Sequence, residues 1–486
     1  MRKRFEVQLT LGQTPIERVL LPLKSRDELP PILAGLQWIY QTPEVNEPIF
    51  ALLERKVLGD KKATGRPGLD LWHILVLGVV RLGLDCDYDR LEYLANYDSL
   101  LREMLGVSLV RGLGEKAFHR KTLSQNVALV DEAMLVEINA IVAQAGRRVF
   151  KKKDHSVEPV QAKVDSYVLE SNVHFPTDLN LLWDAQRKCL DLVERLYEGQ
   201  GMHGWRKAED WRRKLKGQMR AVSRISQGGG RDKDRRRLAA VQVYLENSMR
   251  LEARVFASWR ELETRPLGVV ELAEWVQLEY FHEALMRQMD LVERRLVRGE
   301  TIPHADKVFS LFEPHTEWIT KGKLFPPVEL GHKLMVTTDQ YELILDYKVL
   351  GHSAEVDELI PMGDRLLSRY GHVSSLSADQ GFSRQDDRQL LELYIPDVVV
   401  PKRGRRTQED ETRENRRTFR VLRHKHSAVE SDIHCLEHHG LNRCPDKGRE
   451  GYGRYVGFGV LAYNLHKIGA RLLQARVLES GIKAAA

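Results

Sequence analysis

Residues 163–178, KVDSYVLESNVHFPTD, decide the fold. Val164, Ser166 and Val168 alternate around Asp165 with the period of two that marks a β-strand. A second carboxylate, Asp379, closes another apolar stretch, Val373 to Ala378, within VSSLSADQGFS (373–383). A third, Glu430, opens a helical pattern in RHKHSAVESDIHCLEHHGLNRC (423–444). Two strand carboxylates and one helix carboxylate brought to one point make an oxygen-rich set of the kind that Mg²⁺ or Mn²⁺ takes, the hard cations of two-metal phosphoryl transfer.

Outward from that first strand the pattern changes period. From Asp178 to Glu300 the chain reads as helix almost throughout, broken only where Gly or Pro266 intervenes, and the apolar positions read as a coiled-coil-like core. Beta character resumes at His332–Thr338 and Glu342–Leu350, with a tight connection near Gln340, and again at Val373–Ala378 and Asp397–Pro401. Helical segments at Asp357–Tyr370 and Arg384–Leu393 alternate with these strands, which argues for an α/β sheet with a helical insertion. A last helix, from Val456 to about Leu478, is expected to pack on the sheet.

Upstream, Gly65-Arg66-Pro67-Gly68 punctuates the chain, and Asp70, Asp87 and Asp98 are placed to cap short helices. Ser124 precedes a longer amphipathic run to about Gly146. That spacing is compatible with a helix-turn-helix module and equally with any small helical bundle. The expected organisation is an N-terminal segment 1–64, a helical DNA-binding region 65–150, the first part of the core 151–178, the insertion 179–300, the rest of the core 301–478 and a tail 479–486.

A chain of 486 residues, 42% hydrophobic, can bury a large core, and its net charge of +6 says little by itself. The distribution says more: residues 201–237 hold 13 Lys and Arg against 4 acids, and residues 401–426 hold 10 against 4. Such runs are the footprint of a polyphosphate partner or, equally, solvated helix faces. The four cysteines, Cys86, Cys189, Cys435 and Cys444, make no disulfide framework and fit a reducing cytoplasm. The opening MRKRFEVQLTLG lacks a signal-peptide core, and the longest apolar stretch, Leu71 to Leu84, is broken by His73, Arg81 and glycines, so a soluble, cytoplasmic protein is expected, with no membrane partner. No GxxxxGK[ST] loop occurs, so no ATP site is expected.

The three acidic segments also resemble a family. VDSYVLESNVHFPTD, SADQGF and HSAVESDIHCLEHHGLNRCPDKG look like the signatures of insertion-sequence DDE transposases, most closely the ISNCY group. GRPGLDLWHILVLGVVRLGLDCDYDRLEYLANYDSLLREMLG (65–106) resembles the amino-terminal domain of such enzymes. The resemblance implies an all-α DNA-binding region followed by an α/β RNase H-like catalytic core, with Asp165, Asp379 and Glu430 both catalytic and metal-holding, on two Mg²⁺ or Mn²⁺ ions. It implies cleavage of DNA at the terminal inverted repeats of a mobile element, transfer into target DNA, a homodimer assembled on DNA, and association with the nucleoid. Arg66, Arg212, Arg213, Arg220, Arg224, Lys402, Arg403, Arg405, Arg406, Arg423 and Lys425 are the expected DNA contacts. One departure stands out: many relatives carry Arg four residues before the catalytic Glu and Lys seven after it, where this chain has His426 and Glu437.

Each feature has a plainer reading beside it. Ser427 to Glu430, SAVE, is also a capping box, in which Glu430 only bonds a backbone amide. Asp165 and Asp379 read equally as strand-end carboxylates in turns. Asp154, Glu170, Asp178, Asp339, Asp346, Asp386, Asp387 and Glu437 lie near the same motifs, and the family words alone select the three. His434, Cys435, His438, His439 and Cys444 raise a zinc site, but without a CxxC pair. The competing function classes are a catalytically inactive transposase-derived DNA-binding protein and a structural protein built on the central helices.

Overall fold

The structure is a computed structural model that describes residues 2–5, 13–59, 68–107, 117–150, 158–320 and 327–481. Arg66 and Asp154 lie outside the described residues. The chain forms two compact units, one made of Met1–Asn172 with Ile319–Ala486 and the other of Val173–Trp318.

Among the described residues the first unit begins with the α-helices α1 (Leu29–Gln41), α2 (Pro43–Leu53), α3 (Leu71–Gly83), α4 (Tyr88–Tyr97), α5 (Ser99–Met104), α6 (Arg120–Val127) and α7 (Glu132–Gly146). Asp87 and Asp98 cap α4 and α5 as expected, accepting from the amides of Arg90 (2.7 Å) and Leu101 (2.8 Å). Ser124 lies inside α6, and Asp131 begins α7 by accepting from Met134 N at 2.8 Å. The expected single run from Ser124 is therefore two helices, because an internal cap restarts the pattern. Strand β1 (Val160–Ser171) follows.

The second unit holds α8 (Asp178–Gly199), α9 (Ala208–Gln227), α10 (Lys233–Glu263) and α11 (Val269–Val292). Its core is apolar, with Leu182, Leu190, Val193, Leu251, Leu278 and Leu285 fully buried. A small polar network is buried among them: Tyr244 Oη donates to Gln186 at 2.9 Å, and Gln186 donates to Ser248 at 2.7 Å. The insertion expected at 179–300 is this unit, extended at both ends.

The chain returns through β2 (Glu317–Thr320), β3 (Val328–Thr338), β4 (Ile344–Val349), α12 (Glu355–Tyr370), β5 (Val373–Ala378), α13 (Gln385–Glu392) and β6 (Asp397–Val399). It ends with α14 (Gln408–Glu414), α15 (Arg417–His426), α16 (Ala428–Leu436), β7 (Arg443–Cys444) and α17 (Gly448–Glu479). The sheet runs β2-β3-β1-β5-β6, with β4 also on β3 and β7 on β1. β1 is antiparallel to β3, and β3 to β4, whereas β5 and β7 run parallel to β1 and β6 parallel to β5.

Helix α17 is the spine of this unit. A Cβ on Gly35 of α1 would lie 2.3 Å from the Leu465 carbonyl oxygen, and one on Gly469 would lie 1.9 Å from that of Pro31, so the two backbones touch at glycine. All 13 residues of α3 are buried. The helices of 65–150 thus do not stand apart from the sheet as a separate module: they share one hydrophobic core with the strands and α17. The apolar run of α3 matches a fully buried helix, whereas α4 and α6 bury one face and expose the other.

Register explains where the sheet leaves a gap. β5 accompanies β1 only as far as the Val164–Ala378 pair, and β7 takes up the same edge at the Glu170–Arg443 pair. Between them, residues 165 to 169 of β1 have a strand on one side only. Several neighbouring carboxylates are consumed by the fold itself. Asp339, fully buried, receives Arg147 Nε at 2.8 Å and the amides of Tyr341 and Leu343. Asp346 is clamped by Arg365 at 2.7 Å and Arg369 at 2.6 Å.

Candidate acidic site at the open edge of β1

Asp165 is the first residue of β1 beyond its pairing with β5, and Asp379 directly follows the last residue of β5. The register therefore brings these two carboxylates to one place, 214 residues apart in sequence. Asp165 Oδ1 accepts from its neighbour's amide, Ser166 N, at 2.7 Å. Asp379 leads a single turn, Gln380–Phe382, anchored by buried Phe382, and its side chain stays 56% exposed with Arg423 Nη2 3.7 Å from Oδ1.

Glu430 is the third residue of α16 and is exposed. The capping-box alternative fails here. Ser427 has helical φ and ψ, and its hydroxyl donates backward to His424 O at 2.9 Å with no side-chain cap on α16. Because α15 runs almost directly into α16, there is no free N-terminus to cap. The basic run 401–426 is largely two helices, α14 and α15, the second anchored by buried Phe419.

Electrostatics tie the three together. The Asp165 carboxyl is pushed up to about 6, first by burial, against the lowering effect of the Ser166 amide, and further by the negative charges of Asp379, Glu355 and Glu430. Glu355, the first residue of α12, is not legible in the sequence. Its carboxylate accepts from the Ser166 hydroxyl and pairs with Lys333 at 3.1 Å. A Cβ on Gly381 would stand 3.1 Å from Glu355 Oε2, so Glu355 also packs against the turn that follows Asp379. Nothing in its local pattern distinguishes it from any other acid in a helix's first turn.

Lys333 and Arg423 are the two cations in ion-pair range of these four carboxylates among the described residues, so full ionisation leaves two negative charges uncompensated. As the side chains lie, no group of three His, Cys, Asp or Glu is arranged around a single point among the described residues. The donor set nonetheless fits a hard divalent cation: carboxylate oxygens, partly desolvated, with excess negative charge.

No family model, curated protein or solved structure matches this chain.

Of the expected DNA contacts, Arg423 stands beside Asp379 and lines a depression of about 380 Å³ with Gln380, Arg406 and Arg420. Arg406 pairs with Glu414 at 3.0 Å, Arg403, Arg405 and Lys425 are exposed, and Lys402 is half-buried. In the second unit Arg220 and Arg224 are exposed, and exposed Arg213 lies 3.7 Å from Asp210. Arg212 differs: it binds Asp191 at 2.8 Å, Glu194 at 2.5 Å and Glu209 at 3.5 Å, so its charge is spent inside the unit. Trp205 is buried with Nε1 on Ser258 at 3.0 Å, which makes it core.

His426, at the position of the family Arg, is buried with Nδ1 3.1 Å from Ser377 Oγ. Burial, then the Arg423 charge, push its pKa down to about 4, so the ring is neutral near pH 7. His434 and His438 bring their Nε2 atoms to 3.0 Å on an exposed face, whereas Cys444 is buried and turned to Asp446 O at 3.7 Å.

Proposed function

We propose that the chain is a DDE transposase acting on DNA, in which Asp165, Asp379 and Glu430 are the catalytic carboxylates. The observation that carries this reading is the register that ends the β1–β5 pairing at Val164 and Ala378, so that Asp165 and Asp379 follow side by side, with the charges of Asp379, Glu355 and Glu430 adding to burial in raising the Asp165 carboxyl. An RNase H-like core is supported by the strand arrangement: three antiparallel strands, β4, β3 and β1, continued by β5 and β6 parallel to β1. The acids sit where the parallel pair ends, the usual crevice of an open α/β sheet.

Asp165, Asp379 and Glu430 would hold Mg²⁺ or Mn²⁺, two ions in this reading, which when bound polarise a phosphodiester and activate an attacking hydroxyl. The chain's own residues prepare the place. The Ser166 amide fixes one oxygen of Asp165, Arg423 orients Asp379, and Lys333 with Ser166 holds Glu355 against the turn beneath Asp379. Arg406, Arg420 and Arg423, around one depression, supply the cations for a nucleic-acid backbone. The substrates would be element ends and target DNA, and paired cleavage at two ends calls for two copies on DNA.

The test is incubation of the full chain with a labelled duplex carrying the gene's own flanking sequence, with Mg²⁺ and with EDTA. Metal-dependent nicking at a fixed position is expected. Binding of that duplex without nicking would instead favour the inactive DNA-binding protein.

The basic helix α9 gives a separate expectation. Replacing Arg213, Arg220 and Arg224 by Gln should weaken binding about equally on specific and random duplexes and reduce the salt slope by roughly 0.9 for each phosphate no longer neutralised. Arg212→Gln should chiefly lower stability, because it leaves Asp191 and Glu194 without their partner. An unchanged slope in the folded triple variant would show that α9 is a solvated face.

A further inference from the structure

Two residues before Asp165, on the same face of β1, stands a lysine that the acidic site does not use. Lys163 is only 7% exposed, and among the described residues it makes no ion pair and no hydrogen bond. Its charge acts on the buried Asp432 carboxylate from beyond ion-pair range, and the ammonium opens on the cleft, where an anion would give it a direct partner. Lys163 lines a cleft of about 460 Å³ between the sheet and helices α15 and α16.

The rest of the lining has one chemical character. Ser375 and Ser377 project from β5, Ser427 and Ser431 from the helices, and Lys425 adds a second cation that is likewise unpaired among the described residues. No carboxylate lines the cleft among those residues. Ser375 is 4% exposed, and its hydroxyl has no protein partner among the described residues, so it is open to the cleft. Two ammonium groups and several hydroxyls around a cleft without an acid are a receptor for an oxyanion.

The spacing says which oxyanion. Strand geometry separates Lys163 from Asp165 by about 6.6 Å, two residues at roughly 3.3 Å each. That is of the order of the through-space distance between successive backbone phosphates of a single strand.

We propose that this cleft is a phosphate subsite in which Lys163 and Lys425 bind the backbone phosphate adjacent to the one presented to Asp165 and Asp379. The inference rests on the transposase reading for its source of phosphate, though the anion site itself stands on the cleft. Lys163 here fixes the register of the strand relative to the acids and is a positioning residue.

The experiment titrates the full chain with inorganic phosphate in EDTA by calorimetry, at constant ionic strength set with chloride. Saturable binding is expected, weakened about tenfold or more by Lys163→Met and preserved by Lys163→Arg, as expected when one charge-assisted contact is removed or kept. Ser431→Asp, an exposed change that places a negative charge at the rim, should also weaken it and serves if Lys163→Met does not fold. Equal affinity in the wild type and in these variants, or no saturable binding to the wild type, would overturn the proposal. A short single-stranded oligonucleotide without terminal phosphate should displace the ion; phosphate that stays bound would mark a site for the free anion and overturn the backbone assignment. A chain that binds phosphate through Lys163 yet never cleaves DNA would refute the transposase reading and leave the subsite, whereas cleavage with Lys163-independent binding would do the reverse.

Discussion

Asp379→Asn is expected to abolish strand cleavage, by about 10³-fold or more, while binding of the element-end duplex survives. The substitution removes one negative oxygen from the site and no cation from the DNA path. A loss of that size corresponds to about 4 kcal/mol of transition-state stabilisation at 1.36 kcal/mol per factor of ten, within what a misplaced catalytic metal costs. Arg423, 3.7 Å from Asp379, is then free to contact phosphate, so binding should tighten slightly if it changes at all. Glu430→Gln should behave in the same way. Since Ser427 forms no side-chain cap on α16, lost cleavage in that variant cannot be assigned to a broken helix end. Cleavage and binding assayed on the same preparations check both, and a parallel loss of binding in a folded variant would assign Asp379 a structural role.

Asp165→Asn should make the metal-free protein more stable at neutral pH. The carboxyl titrates at about 6 in the folded chain against an ordinary 3.8, so the folded state holds this proton more tightly than the unfolded state does. Below pH 3.8 the proton is bound in both states and costs nothing. As pH rises toward 6 the folded chain must give it up, and stability falls by up to about 3 kcal/mol, two pKa units at roughly 1.4 kcal/mol each. An amide carries no such penalty. Denaturation in EDTA should therefore show wild type and variant converging near pH 4 and separating above pH 6 in favour of Asn. Equal stability at pH 8 would mean that neither burial nor the neighbouring acids raise the Asp165 carboxyl.

Much of this is legible in the amino-acid sequence, for physical reasons that differ by element. β5 is readable to the residue because a short apolar run ends abruptly at Asp379. The apolar pattern starts α17 at Val456, whereas the helix begins at Gly448, since Gly451, Gly453, Gly457 and Gly459 look like helix breakers. They are contact points: a Cβ on Gly457 would lie 2.6 Å from Leu135 Cβ, and one on Gly459 2.8 Å from Leu441. The charged stretch before Glu430 hides α14 and α15, because their helical character depends on a few buried anchors such as Phe419. With those helices hidden, SAVE looks like a helix start. Asp165, Asp379 and Glu430 are singled out by local words, whereas Glu355 reaches the site only through tertiary contacts with Ser166 and Lys333. The burial of α3 is legible from its apolar pattern all round, whereas the partner that covers it, α17, emerges only in the fold. Among the described residues no helix is long and apolar enough to cross a membrane.

The most direct measurement is Mn²⁺ binding by the full chain, followed by the electron paramagnetic resonance of free Mn²⁺ across pH. The account predicts saturable binding at pH 7.5 that fades as pH falls through about 6, where the Asp165 carboxyl takes up its proton. Asp165→Asn, Asp379→Asn and Glu430→Gln should each weaken it by about tenfold to a hundredfold. Binding that ignores all three substitutions, or that persists unchanged at pH 5, would contradict a shared metal site at the open edge of β1.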